Sequence, residues 1–267
     1  MKSLFIDGPA GRLHVQDSQG QGPSVVLLHG NSSAGAAFAA QCQALGQRYR
    51  LLVVDLPGHG QSAPVSPEHY SFAGFAALLS ALVATLQLKD YAIVGHSLGG
   101  HAALEALPQL AGLRALVLLG APPFNAELAG RLFRPEPTGG LVFKGSLNRT
   151  ERERLAAAFV APSQQSAQRA AELDSFIAQT DPHVRDALGK ALAQGQFADE
   201  WALLQASQVP ALLIQGDDDA FIDAQACSEL AGAALQVRRV PNCGHCPHVE
   251  APALCNAWLA EFFQDTL

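Results

Sequence analysis

Short apolar runs alternate along the chain with longer stretches in which apolar positions recur every three or four residues. Leu4–Ile6 and Arg12–Gln16 flank Asp7-Gly8-Pro9-Ala10-Gly11, turn chemistry that predicts an antiparallel hairpin. Six further runs follow: Ser24–His29, Arg50–Asp55, Tyr91–Gly95, Ala115–Gly120, Ala211–Gln215 and Gln236–Val240. Most are nearly continuous in Val, Leu and Ile, as strands covered on both faces require. Between them the helical period predicts helices at Ala36–Leu45, Phe72–Leu86, Leu98–Leu107, Ala224–Ala231 and Pro252–Phe263. The expectation is an α/β protein with an eight-stranded, mostly parallel sheet and helices on both faces.

One interval breaks the rhythm. No strand is predicted from Pro122 to Gln208. The interval opens with Pro122-Pro123 and carries the loop signal Arg134-Pro135-Glu136-Pro137-Thr138-Gly139-Gly140. Helical patterns follow at Arg149–Phe159, Ser166–Gln179, His183–Ala193 and Asp199–Ala206. Residues 1–121 and 209–267 are therefore read as one core, and 122–208 as a helical insertion between consecutive strands of its sheet. The aromatics Phe124, Phe133, Phe143, Phe159, Phe176, Phe197 and Trp201 imply that this insertion buries a face of its own.

Composition narrows the choice of partners. Of 267 residues, 49% are hydrophobic and 15% charged, against roughly 25% charged in an average soluble protein. A chain of this size and content can build a substantial core. The net charge of −7 is mild, and no cluster of Lys and Arg forms a basic face. Nucleic acid and acidic membrane surfaces are thereby disfavoured, leaving a small molecule as the expected partner. No apolar run reaches the roughly 20 residues that span a bilayer, and the N-terminal stretch lacks the apolar core of a signal peptide. The five cysteines, four of them after residue 226, do not form the even set of a disulfide framework. A cytoplasmic protein is expected; oligomeric state is not legible.

The chemistry-bearing segment is Gly95-His96-Ser97-Leu98-Gly99-Gly100, which follows a strand and opens a helix. A nucleophilic Ser needs a sharp strand-to-helix turn with no side chains crowding it, and Gly95 and Gly99 supply that clearance. The same turn aims the backbone N–H of Leu98 at a developing oxyanion, near the positive end of the helix dipole. Upstream, Val25–Leu28 ends in His29-Gly30-Asn31. A loop there can contribute a second oxyanion donor, the N–H of Asn31.

An acid and a base follow in order. Asp217-Asp218-Asp219 stands just beyond the strand that ends at Gly216, and His245 lies on a loop after the last strand. A serine hydroxyl becomes a nucleophile only when a base removes its proton. That imidazole needs a carboxylate to hold its tautomer and to stabilise the imidazolium. Three adjacent aspartates cannot all be buried beside one imidazole without mutual repulsion. One is expected to point inward and the others to face solvent.

These segments, together with Asp55-Leu56-Pro57-Gly58-His59-Gly60-Gln61-Ser62, resemble the α/β-hydrolase superfamily, in particular its single-chain esterase, lactonase and C–C hydrolase branch. The likeness runs from about residue 25 to residue 250. It implies that the acid is the third residue after the strand-ending Gly, which selects Asp219 from the three. It also implies that 122–208 is a lid inserted after the sixth strand. Two positions depart from common patterns of the superfamily: the oxyanion loop reads His-Gly-Asn-Ser-Ser, and Cys246 follows the base. Both leave the substrate open.

Other residues invite competing readings. Cys243-Gly244-His245-Cys246-Pro247-His248 contains Cys-x-x-Cys with two His, but a zinc site usually draws a second ligand pair from elsewhere, and the sequence offers none. The two cysteines are read as small buried side chains, and neither metal nor organic cofactor is expected. His59 is read as structural. His96, Phe124, Phe143, Phe159, His183, Trp201, Phe221 and Phe38 are candidate pocket residues, each of which could equally be core.

The expected function is hydrolysis of a small to medium, largely apolar ester, lactone or related acyl substrate through an acyl-enzyme at Ser97. The resemblance keeps two alternatives open: a cofactor-free dioxygenase that uses the His–Asp pair as base, and a ligand receptor built on the hydrolase fold.

Overall fold

The structure, a computed structural model, describes residues 1–8, 11–135, 138 and 140–267. Eight strands form one sheet: β1 Lys2–Gly8, β2 Gly11–Asp17, β3 Ser24–Leu28, β4 Arg50–Val54, β5 Tyr91–His96, β6 Leu113–Leu119, β7 Ala211–Gly216 and β8 Gln236–Val240. Their spatial order is β1-β2-β4-β3-β5-β6-β7-β8. β1 and β2 form an antiparallel hairpin, and β2 runs antiparallel to β4. The remaining pairings are parallel. Pro9 and Ala10 of the expected hairpin turn, and Glu136, Pro137 and Gly139 of the expected loop, lie outside the described residues.

Eleven α-helices connect the described strands: α1 Ala39–Leu45, α2 Phe72–Thr85, α3 Leu98–Ala106, α4 Ala126–Leu132, α5 Arg149–Ala158, α6 Ala167–Gln179, α7 Pro182–Ala193, α8 Glu200–Ser207, α9 Ala224–Ser228, α10 Pro247–Glu250 and α11 Pro252–Thr266. Successive side chains of a strand point to opposite faces of the sheet, and here both sets are buried. Val26, Leu28, Leu52, Val54, Ile93 and Leu118 pack on the face covered by α2 and α3. Val25, Leu27, Leu51, Val53, Val94 and Val117 pack on the opposite face with α1 and α11. This double burial explains why the central strands read as continuous apolar runs. Among the described residues, no helix is long and apolar enough to cross a membrane.

Helices α4 to α8 occupy the interval between β6 and β7, where the only pairing among described residues is an isolated bridge from Phe133 to Ile222. α4 has no counterpart in the sequence reading. It buries only Leu132 and so shows little apolar period, yet Asn125 caps it by accepting from the N–H groups of Glu127 and Leu128. The expectation that the interval's aromatics bury a face of their own needs correction. The interval's own cluster joins Leu155, Leu173 and Ile177 of α5 and α6 with Phe159, whereas Phe124, Phe133, Phe197 and Trp201 pack on the main core.

Candidate active site

Every candidate group of the proposed chemistry stands just beyond the carboxyl end of a parallel strand: Asn31 after β3, Ser97 after β5, Asp219 after β7 and His245 after β8. Ligands of open α/β sheets bind at that edge.

Ser97 occupies the single residue between β5 and α3, with φ 48° and ψ −117°. A non-glycine residue pays about 1–3 kcal/mol for such a conformation. The turn closes because its glycines touch backbone. A Cβ at Gly95 would stand 2.6 Å from the backbone of Gly100, and one at Gly99 would stand 2.5 Å from the carbonyl of Leu28. Leu98 is the first residue of α3, so its N–H has no partner within the helix.

Asp219 is fully buried, while Asp218 is exposed and Asp217 pairs with Arg239 at 2.6 Å. One inward aspartate among three is the arrangement expected from their mutual repulsion. Oδ2 of Asp219 accepts from His245 Nδ1 and Gln215 Nε2, both at 2.8 Å. Oδ1 accepts from the N–H groups of Phe221 at 2.8 Å and Ile222 at 3.1 Å. Four donors thus converge on a carboxylate that has no access to water, the condition under which burying one is tolerable.

The His245 ring stacks on Phe159 at 6.0 Å and meets Phe221 edge-on at 5.2 Å. Its backbone is tied at both ends: the N–H donates to the carbonyl of Phe159 at 3.0 Å, and the carbonyl accepts from His96 Nε2 at 2.9 Å. With Nδ1 committed to Asp219, Nε2 is the nitrogen left for chemistry.

Two buried imidazoles shape the loop that carries Asn31. His29 donates from Nδ1 to the carbonyl of Gly30 at 2.7 Å and accepts at Nε2 from the N–H of Leu56 at 2.9 Å. His59 donates from Nδ1 to the carbonyl of Pro57 and accepts at Nε2 from the N–H of Ser32 at 3.2 Å. Burial pushes His29 below its ordinary value and His59 down to about 3, so both stay neutral and keep one tautomer. The structural role expected of His59 is met in this way. From the other side, Asn31 Nδ2 donates to the carbonyl of Val142 at 2.9 Å. Arg185 of α7 reaches Ser32 Oγ at 3.1 Å and the carbonyl of Gly145 at 2.6 Å. Burial lowers the Arg185 guanidinium from its usual range.

Asn31, Ser97, Leu98 and His245 line one cavity of about 310 Å³, a size typical of small-molecule sites. Its walls are mainly apolar, and Phe124, Phe143 and Phe221 from the sequence reading are among them, with Phe159. Three site candidates and one companion stand elsewhere. His183 lies on an outer pocket with its side chain 68% exposed, because it pairs with its own helix cap Asp181 at 2.9 Å. Trp201 lines a separate pocket between α4 and α9, with Leu128 and Leu230. His96 lies beneath the site, since its ring is covered by His245 and His248. Phe38 is fully buried and stacked on His248. The sequence reading missed His101, Phe133, Arg134 and Leu188, which do line the cavity. A signal for His101 existed: it lies one turn into the helix predicted to begin directly after Ser97.

Comparison with known proteins agrees with this architecture. The sequence model of the alpha/beta hydrolase family matches residues 25–258. A pimeloyl-[acyl-carrier protein] methyl ester esterase of Nitrosomonas europaea is 28% identical over 246 residues, covering 90% of this chain and 95% of that protein. A 2-hydroxy-6-oxononadienedioate/2-hydroxy-6-oxononatrienedioate hydrolase of Cupriavidus pinatubonensis is 30% identical, covering 94% and 90%. The solved structure of the N-acyl homoserine lactonase AidH with N-butanoyl homoserine superposes with a TM-score of 0.91 at 29% identity, covering 99% of this chain and 97% of that one. From its parallel sheet, its strained serine turn after β5 and a match that spans most of its length, the chain belongs to the alpha/beta hydrolase family.

Proposed function

We propose that this protein is a serine hydrolase cleaving a small to medium, largely apolar ester, lactone or related acyl substrate. Ser97 Oγ attacks the acyl carbonyl while His245 Nε2 takes its proton. Asp219 holds the imidazole through Nδ1 and stabilises the imidazolium. The N–H groups of Leu98 and Asn31 receive the oxyanion, each such donor contributing about 100- to 1,000-fold in rate. His245 then protonates the leaving group and activates water to release the acyl-enzyme. Residues 122–208 serve as the cap over the site.

The observation that carries this reading is the 2.8 Å bond between His245 and a fully buried Asp219, beside a cavity that His245 shares with a strained Ser97. A buried imidazole–carboxylate pair next to a serine forced out of ordinary backbone space is costly for stability, and acyl transfer is the chemistry that uses all three groups. The apolar walls support an apolar acyl chain. The names of two similar proteins, a methyl ester esterase and a lactonase, describe acyl transfer to water.

The test is a panel of short- and medium-chain esters and lactones, assayed with the wild-type protein and Ser97→Ala and combined with a phosphonate probe. The phosphonate is expected to label Ser97. Ser97→Ala is expected to retain only about 1,000- to 10,000-fold acceleration over water. A phosphonate adduct on another residue, or an unimpaired Ser97→Ala enzyme, refutes the proposal.

A further inference from the structure

His101, which lines the cavity, belongs to a second imidazole–carboxylate pair that the proposed chemistry does not use. His101 lies one turn beyond Ser97 on α3, its N–H donating to the Ser97 carbonyl at 3.1 Å. Both residues line the same cavity. His101 Nδ1 lies 3.0 and 3.1 Å from the two carboxylate oxygens of Glu200, the first residue of α8. Glu200 is fully buried, and its Oε2 also accepts from the N–H of Phe124 at 3.2 Å.

The imidazole is fixed on every side except one. Phe72 and Phe124 meet it edge-on at 5.7 and 5.3 Å, and Phe133 stands at 6.3 Å. Nε2 has no hydrogen-bond partner among the described residues, yet His101 lines the cavity. Nε2 is thus the one polar atom of this ring offered to a bound molecule. A buried carboxylate costs several kcal/mol unless it is well paired. Spending one to orient a ring whose free nitrogen faces an apolar cavity points to recognition.

The two imidazoles that line the cavity sit among different rings. His245 packs against Phe159 and Phe221, whereas His101 packs against Phe72, Phe124 and Phe133. The leaving group must lie beside His245, because it takes its proton there. The acyl chain is then directed toward His101.

Resting on the serine-hydrolase reading, we infer that His101, oriented by Glu200, is a specificity residue that hydrogen-bonds a keto or hydroxyl oxygen on an otherwise apolar acyl chain. That oxygen sits about one helical turn from the carbonyl that Ser97 attacks. Burial pushes the Glu200 carboxyl above its ordinary range. Nε2 donates to a keto oxygen when it carries the ring hydrogen and accepts from a hydroxyl when Nδ1 carries it. A site built around an unpaired polar atom discriminates against the chain that leaves it unpaired.

The experiment compares esters of one alcohol whose medium-length acyl chains are plain, or carry a keto or hydroxyl group at each carbon in turn. It reads the ratio of kcat/KM for oxygenated over plain chains in the wild-type protein, His101→Phe and Glu200→Gln. In the wild-type protein the ratio is expected to reach about 10 to 100 at one chain position, expressed mainly in KM. In His101→Phe it falls to about one, and in Glu200→Gln it drops several-fold. A ratio near one at every position in the wild-type protein, or a ratio retained in both variants, overturns the inference. Because the readout is a ratio, a purely structural loss of activity leaves it unmoved. If Ser97→Ala still cleaves the plain ester, the hydrolase reading fails instead.

Discussion

Gly120 stands so close to His245 that a side chain at this position has no room. A Cβ at Gly120 would stand 2.9 Å from the carbonyl oxygen of His245 and 3.1 Å from its Nδ1. Gly120 also adopts φ +56°, where a side chain costs roughly 1–2 kcal/mol. The end of β6 is therefore a mould for the imidazole of the neighbouring loop.

Gly120→Ala is expected to lower kcat by about 100-fold, the scale of a displacement of about 1 Å in a reacting group. The accompanying loss of stability should be only about 1–2 kcal/mol. Parallel measurement of ester turnover and urea midpoint checks this. A loss of activity no larger than the loss of folded protein would contradict it.

Asp219→Asn removes the charge while keeping the size. On the proposed mechanism, kcat should fall by roughly 1,000- to 10,000-fold, because the amide no longer selects the His245 tautomer that accepts the serine proton. Phosphonate labelling of Ser97 should slow in step. Fast labelling together with normal turnover would remove Asp219 from the mechanism.

Arg185 joins four segments: α7, the Ile177 carbonyl of α6, the carbonyls of Lys144 and Gly145, and the Ser32 hydroxyl next to Asn31. Arg185→Met keeps most of the stem but takes the guanidinium away from the carbonyls of Lys144 and of the buried Gly145. A loss of about 2–4 kcal/mol is expected, with kcat reduced further because the Asn31 loop loses an anchor. Chemical denaturation and steady-state kinetics on one preparation separate the two effects. Unchanged stability would mean that the guanidinium is not holding these segments together.

Acid should destabilise the protein well above the range in which carboxylates titrate. His29, His59, His96 and His248 are all buried and pushed below their ordinary value of 6.5, to about 3 for His59 and His248. Unfolded, each takes up a proton near 6.5; folded, each resists. Stability is therefore complete above pH 6.5 and falls as the pH drops below it, by roughly 1.4 kcal/mol per pH unit each for His59 and His248 down to about pH 3, with His29 and His96 acting in the same direction. Glu105 and Glu200, pushed up by burial, act in the opposite sense, but two carboxyls oppose four imidazoles. Among the described residues His248 has no hydrogen-bond partner at either ring nitrogen, so His248→Phe should flatten the slope between pH 6.5 and 4.5. Urea midpoints across that range test this, and an unchanged slope would count against it.

The strands of the central sheet were legible to within a residue or two. Val25–Leu28, Leu51–Val54 and Ile93–Val94 are apolar on both alternations, and only a strand buried on both faces needs that pattern. α4 was not legible, since one buried leucine makes no period. The helix expected at Ala224–Ala231 is α only over Ala224–Ser228.

The same division runs through the candidate site. Glycines around a serine, a strand end before three aspartates and a late histidine are local patterns, and their order along the chain nominated Ser97, the aspartate triplet and His245, while the resemblance to the α/β-hydrolase superfamily selected Asp219 from the three. The inward aspartate could be expected from charge repulsion, because that argument involves neighbours in sequence. Which side chains wall the cavity depends instead on how α4 to α8 pack over the sheet edge. Distant contacts set that packing, and a helical period cannot encode them. His183 and Trp201 looked as eligible as Phe124 and Phe143 on paper, yet one turned to its own helix cap and the other to a separate pocket. His101 found its carboxylate partner 99 residues away. Local chemistry along the chain thus determined the fold class and the reactive candidates, while the tertiary packing of one helical interval decided the shape and polarity of the space around them.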